Sequence, residues 1–454
     1  MSYLKSTTAL AVLFALSAAP AFAQNMPNMN MPNMDMPAQT ADHDHGADHM
    51  QDQKAPATSP QAMDHDMSGM DMSDMDMSHM DHMNMDAPKS GWQVMSHAVL
   101  NFVADNQEGP RGGSKNFAEG MFMIMASREL DDRNTLDLNL MLSPDAFMGK
   151  GGYPLLLQTG ETADGVHHLV DAQHPHDLFM GATAKVTHRF DGATKAFVLI
   201  GWPGEFGFGP TAFMHRASGE NFPTAPITHH WLDSGHITMG VVTAGLAKGP
   251  LQLEVTQFTG REPDQYRFNL DTPKLDSTAI RLTWQINDSL TAQASWAHQV
   301  SPEQLAPDED LQRRSVSFDY NRAFRAGTLY STLAWGRKEI EHSAEKPSDG
   351  YLFENTFKFN DKWMALGRHE RVYNDELVHD GAYWVAKTEI GAIRTFDLGH
   401  DMTLGLGLVR QFNAVPDALK PVYGDHPNGT VGFLQLKIHP MSGSMTGQMA
   451  GMKM

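Results

Sequence analysis

Thioethers, imidazoles and carboxylates are the groups in this 454-residue chain that could bind metal, and they are unevenly spread. Residues 24–86 hold 15 of the 32 methionines, with six histidines and 12 aspartates against one lysine, a formal charge of 1 − 12 = −11. The densest run is Met67, Met70, Met72, Met75, Met77, His79, Met80, His82, Met83 and Met85. Thioethers are soft, uncharged ligands that suit Cu(I), and imidazoles suit Cu(II) as well. Unlike thiols, thioethers form no disulfides in an oxidising compartment. A solvated acidic linker is the plain alternative, but linkers draw on Gly, Ser, Pro and Glu, whereas methionine is a costly residue to expose. The run is therefore expected to bind copper or silver ions. Beyond Pro440, Met441, Met445, Met449, Met452 and Met454 repeat the theme in a Gly/Ser/Thr/Gln background.

A second constellation is made of histidines. His167, His168, His174, His176, Asp177 and Met180 lie close together in sequence, as do Met214, His215, His229, His230, Asp233 and His236. If the two groups converge, they form a nitrogen- and oxygen-rich set that suits Cu(II), Zn or Ni by ligand type. The alternative is a packed, hydrogen-bonded plug with Phe213, Phe222 and Trp231 as its apolar part. Asp233, Ser234 and His236 are the residue types of a serine hydrolase, but no Gly-x-Ser-x-Gly elbow is present. His-Glu-x-x-His, P-loop and dinucleotide fingerprints are also missing. No catalytic or cofactor-binding residue is assigned, and the chain is not expected to be an enzyme.

The elements that must position these groups have a period of two. Leu136, Leu138, Leu140 and Leu142 alternate with Asp137, Asn139 and Met141, and Ile280, Leu282, Trp284 and Ile286 alternate with Arg281, Thr283 and Gln285. Such alternation marks strands with two unlike faces. About sixteen strands are expected between residues 91 and 438, within a range of roughly twelve to eighteen, separated alternately by short turns and long loops. The short turns include Asp131–Asn134, Asp191–Ala193 and Asp397–Gly399, and the two histidine groups occupy the long loops 143–179 and 202–237. That pattern predicts an all-β fold, a transmembrane antiparallel barrel of the outer membrane with both termini in the periplasm. Glu254, Arg281, Lys387, Glu389 and Arg394 are expected to face its lumen. The domains expected are a signal peptide (1–23), a disordered Met/His/Asp-rich metal-binding segment (24–90), the barrel (91–438) and a Met-rich tail (439–454).

Composition and the N-terminus fix the compartment. Lys5, the apolar Ala9–Leu16 and the small-x-small Ala21–Ala23 read as a cleavable secretory signal. No later apolar stretch reaches the roughly 18 residues of a membrane helix. The absence of cysteine removes disulfide scaffolds, zinc–cysteine and iron–sulfur sites, and thiol catalysis. A net charge of −20 argues against nucleic acid as a partner.

The signal, the leader from Met67 to Met85 and the barrel character together resemble copper resistance protein B of bacterial copper-resistance systems. The resemblance implies copper handling at the outer membrane by sequestration or export, with copper ion as the bound species, Cu(I) at the methionines and Cu(II) at the histidines. Outer-membrane lipid and periplasmic copper carriers or oxidases are the partners it implies. Two rivals stand beside it: a general porin-like channel whose arms buffer metal, and a metal-dependent outer-membrane enzyme using the loop histidines.

Overall fold

The structure is a computed structural model, and it describes residues 91–444. The signal, the leader ligands Met67, Met70, Met72, Met75, Met77, His79, Met80, His82, Met83 and Met85, and the methionines after Ser444 lie outside the described residues.

The chain runs through β1 (Gln93–Gln107), β2 (Ser114–Glu129), β3 (Asn134–Leu142), β4 (Tyr153–Thr162), β5 (His168–Gln173), β6 (Phe179–Arg189), β7 (Thr194–Gly201), β8 (Val241–Lys248) and β9 (Leu251–Phe258). It continues through β10 (Ser277–Asn287), β11 (Leu290–Gln299), β12 (Leu311–Phe324), β13 (Gly327–Ile340), β14 (Ser348–Asn360), β15 (Trp363–Asn374), β16 (Tyr383–Gly399), β17 (Met402–Ala414) and β18 (Asn428–Ser444). All but β4 and β5 join one closed antiparallel barrel of sixteen strands, in which β1 pairs β18 and every other strand pairs its neighbour along the chain, with β3 next to β6. Closure leaves no strand edge to protect. Pairing of Gln93 with Ser444 puts both ends of the barrel on the rim that carries the short turns. β18 runs on to Ser444, past the residue where the alternation ends.

Period-two patterning explains the faces. Leu138, Leu140, Ile200, Leu246, Leu253, Ile280, Leu282, Leu333, Ile390, Leu406 and Leu408 are exposed and point outward. A contiguous apolar exterior of this extent would be a liability in water and is what lipid requires. Exposed aromatics ring both ends: Phe190, Trp284, Phe324, Phe359, Trp363 and Phe396 near the short turns, and Trp202, Tyr351, Trp384 and Phe412 near the long loops. Such girdles mark membrane interfaces. The fold is that of an outer-membrane β-barrel.

The inner wall is polar and charged. Arg368, with no solvent exposure, lies 3.2 Å from Glu354, 2.5 Å from Glu389 and 3.7 Å from Glu370. Arg281 Nε pairs Glu254 at 2.7 Å, and Lys387 is fully buried. Of the five side chains expected in the lumen, Arg394 is the exception. It lies on the outer face near the rim, its guanidinium over the rings of Trp363 and Phe396. Lys387, Glu389 and the buried Ile393 share the inward parity of β16, and an even-numbered neighbour must point the other way.

Two further departures are local. The last short turn is His400–Asp401, each with φ +56°, a two-residue hairpin in which both central residues are left-handed. β16 therefore continues through the expected turn to Gly399. Inside the 143–178 segment, β4 and β5 form a separate two-stranded sheet. Positive φ values at Leu157, Gly160, Glu161 and Asp171 interrupt its register, so no clean alternation announces it.

Candidate metal centre

The two longest loops, 143–178 and 202–240, fold into the barrel and are pinned to its wall. Arg216 reaches Glu354 on β14 at 3.0 Å, Thr228 donates through N and Oγ1 to Glu370 on β15, and Trp231 Nε1 donates to Ser348 at 2.9 Å. Arg313 on β12 donates to the His230 carbonyl at 3.0 Å, and Lys437 on β18 pairs Glu220 at 2.6 Å. These contacts carry the 202–240 segment across the lumen. Cavities of about 520 Å³ flank it: one lined by Glu220, Asn221, His400, Asp401 and Lys437, the other by His168, Glu303, Lys338, Glu376 and His379.

Local folding places the histidines. His229–Leu232 is one helical turn, with Asp233 N donating to the His229 carbonyl. Residues four apart on such a turn share a face, and His229 Nδ1 lies 2.7 Å from Asp233 Oδ1. Asp233 is held in turn by Arg216 at 3.0 Å. The next turn, Ser234–His236, brings His236 Nδ1 to 2.9 Å from the Asp233 carbonyl. From the other loop His176 Nδ1 reaches Asp145 Oδ2 at 2.8 Å. Each of the three rings thus spends Nδ1 on an oxygen that can only accept, which in the neutral ring leaves Nε2 as a lone-pair donor.

The three rings converge. One ring nitrogen from each of His176, His229 and His236 lies within 4.8 Å of the other two, and all three residues are buried. His176 Nε2 and His236 Nε2 stand 3.3 Å apart. Two nitrogens bound to one ion at about 2.0–2.1 Å and a tetrahedral angle are separated by about 3.3 Å, so the spacing is that of two ligand nitrogens. Without a cation or a proton between them, two lone pairs at this distance repel. The oxygen held behind each ring is the outer-shell arrangement that orients metal-binding histidines.

Two more buried rings adjoin the trio. His174 lies 5.5 Å from His230, centroid to centroid, and His230 lies 5.4 Å from His229. Nε2 of both has no hydrogen-bond partner, although His174 Nε2 is 3.2 Å from Glu161 Oε1. Burial, aided by neighbouring positive groups, holds His174, His230 and His236 well below the usual imidazole range. Burial, then His97 and His176, pushes His215 down to about 4. All four are therefore neutral at neutral pH.

Of the loop residues singled out in the sequence, His176, His229 and His236 converge, and His174 and His230 complete the buried cluster. Asp233 orients a ligand from behind. Asp177 lies apart from the trio, 3.7 Å from Arg267, and burial raises its carboxyl to about 8 despite that neighbour. His215 is half-buried to one side. His167 and His168 are exposed, with His167 bound to Asp164 at 2.8 Å. Asp145 and Glu161 carry no sequence signal: Asp145 sits 31 positions from the ring it orients. Among the described residues a second, more exposed group, His298, Asp310 and Glu341, also has ligand spacing.

No protein-family model matches the chain, and no curated protein matches it in sequence. Solved structures similar to it are outer-membrane proteins. OmpT of Vibrio cholerae, a loop L8 deletion mutant, is 7% identical, with a TM-score of 0.45 over 78% of this chain and 100% of that one. OmpF of Salmonella typhi in complex with daunomycin is 11% identical, with a TM-score of 0.48 over 76% and 97%. An anion-selective porin from Comamonas acidovorans is 11% identical, with a TM-score of 0.46 over 77% and 99%.

Proposed function

We propose that this barrel binds copper and sequesters or exports it at the outer membrane, with the buried histidine trio as the metal station inside the lumen. The observation that carries the reading is the convergence of His176, His229 and His236, each ring held from behind by an oxygen of Asp145 or Asp233. Three imidazoles alone would suit zinc, nickel or copper. The methionine-rich leader and tail select among these, because thioethers bind Cu(I) and Ag(I) and are poor ligands for zinc. Both arms leave the barrel at the short-turn rim, which in this reading faces the periplasm and a soluble copper carrier there. Weak, numerous thioether sites would raise the local metal concentration at that rim while releasing it fast. The protein is a binding and transfer device and not an enzyme.

The test is Cu(II) electron paramagnetic resonance on the full chain. Imidazole nitrogen couplings are expected in the wild type, and one equivalent of that signal should vanish in His236→Ala and in His229→Ala. A signal unchanged in both variants would overturn the assignment. The porin-like reading shares the barrel, and it expects a large, salt-dependent bilayer conductance indifferent to these substitutions. The copper reading expects the lumen crossed by the 202–240 segment to conduct little.

A further inference from the structure

The eleven methionines between residues 91 and 439 look like an ordinary allotment by number, but seven gather at one place. Met121, Met123, Met141, Met180 and Met239 are buried together with Val99 and Ile237, and Met125 and Met214 pack against them. Of the other apolar clusters between plug and wall, the one around Phe117 and Phe213 has methionine only at its partly buried edge, as Met148, Met214 and Met364. The cluster around Leu156, Trp231 and Leu352 contains no methionine, and neither does the one around Phe206 and Phe258. All five fully buried methionines of the described residues thus share one cluster, where ordinary filling of irregular gaps would spread them more evenly.

Their register forms a ladder. Met95 on β1 faces Met125 on β2. One step further in, Met123 faces His97 on one side and Met141 on the other. Facing residues across an antiparallel pair have Cβ atoms about 4.5–5.5 Å apart, and successive inward steps are about 7 Å. Met121 is the next step. Beyond it Met180 follows His176 by four residues, Met214 adjoins His215, and Met239 follows His236 by three. Phe213, next to Met214, packs 5.4 Å from the His229 ring and 6.4 Å from that of His176. The ladder starts two residues inside Gln93, where the leader joins the barrel, and leads to Met180 and Met239, four and three residues along the chain from His176 and His236.

We infer that the inner-wall methionines Met95, Met125, Met123, Met141, Met121 and Met180 form a thioether relay for a soft monovalent cation, Cu(I) or Ag(I), between the short-turn rim and the histidine centre. The inference extends the copper reading by naming the charge state carried and the route. Thioethers suit because they bind such ions without charge, so no proton is released and no buried anion is left when the ion moves on. Each pair holds the ion weakly, and the neighbouring pair is within one step. No electron is transferred along this route, since imidazoles accept Cu(I) as well.

Ag(I), which has no competing redox chemistry, tests it on the full chain labelled at the methionine methyl groups and assigned by single Met→Leu substitutions. Substoichiometric Ag(I) should shift the methyl signals of Met121, Met123 and Met141 as well as those of the arms. In Met123→Leu/Met141→Leu, which keeps apolar volume, the apparent Ag(I) affinity read at Met121 should fall by about tenfold or more. Shifts confined to the arm methionines would overturn the relay, and so would a Met121 response unchanged in the double variant. Should the double variant fail to fold, the wild-type shifts decide alone. The Cu(II) signal of the trio is read separately: its absence with Ag(I) shifts intact would defeat the histidine assignment and leave the relay standing.

Discussion

Replacing Asp145 by asparagine perturbs the histidine centre without removing a ligand. Asp145 uses its oxygens differently: Oδ1 accepts from Gly120 N at 3.0 Å, and Oδ2 accepts from His176 Nδ1 at 2.8 Å. Asparagine fills the same space with one acceptor oxygen and an NH₂ group that only donates. Gly120 N–H is a fixed donor, so the amide oxygen stays there and the NH₂ turns toward His176. The ring must then accept at Nδ1, which places its proton on Nε2, the atom 3.3 Å from His236 Nε2. A protonated Nε2 binds no metal. The ion either loses one of three imidazoles or forces the unfavourable tautomer back. Loss of an orienting partner typically lowers metal affinity 10–100-fold, about 1.4–2.7 kcal/mol. Full-length wild type and Asp145→Asn would be titrated with Cu(II) against a competing chelator, followed by the nitrogen couplings, with His176→Ala as the reference for a ligand removed. An affinity within about twofold of wild type, with unchanged couplings, would refute the reasoning.

Two other outcomes follow from the same buried groups. Arg368→Met takes from Glu389 its ion-pair partner and from Glu354 one of two, Arg216 remaining, and should destabilise the barrel by about 3–5 kcal/mol, measured by denaturant unfolding in lipid. A loss under about 1 kcal/mol would mean that water screens these carboxylates and that they are not sealed by the plug. The pH dependence has a definite sign. His215 falls from 6.5 to about 4 on folding, and His174, His230 and His236 are likewise lowered. The unfolded chain therefore takes up protons first, so metal-free stability should decline as pH drops from about 6.5 toward 4. A stability flat across that window would falsify the burial of these rings.

All sixteen barrel strands are legible in the sequence because their two faces meet different solvents, lipid outside and polar wall within, and alternation follows from that difference. Arg394 shows what the rule demands when it is applied fully. Positions 387, 389 and 394 cannot share a face of one regular strand, and only the first two face inward. The β4–β5 hairpin escapes for the converse reason. Its first strand, β4, is packed in protein on both faces, so Leu155, Leu156 and Leu157 are all buried in succession and no period survives. Within the site, residue type identified the histidines, but the partner of each ring depends on tertiary proximity. Asp233 is readable as a neighbour four residues from His229. Asp145 is not, since its contact with His176 exists only once the 143–178 segment has folded back on β2.

Methionine carries the sharper lesson. Its total points to the arms, and subtracting the arms leaves a number too small to attract notice. Parity recovers what the count hides: Met121, Met123 and Met125 share one face of β2, and Met141 stands beside Met123 on β3. Leucine would fill the same wall with a stiffer side chain and no donor atom. Where the wall needs only apolar bulk, at Leu352, Val372 and Val385, this chain uses leucine and valine. The fully buried methionines among the described residues, Met121, Met123, Met141, Met180 and Met239, thus all lie in one cluster, whereas Met148 and Met364 are only partly buried at the edge of another, and packing alone gives no reason for that difference. A cation that must leave many weak sulfur sites on the arms and arrive at three fixed nitrogens does give one.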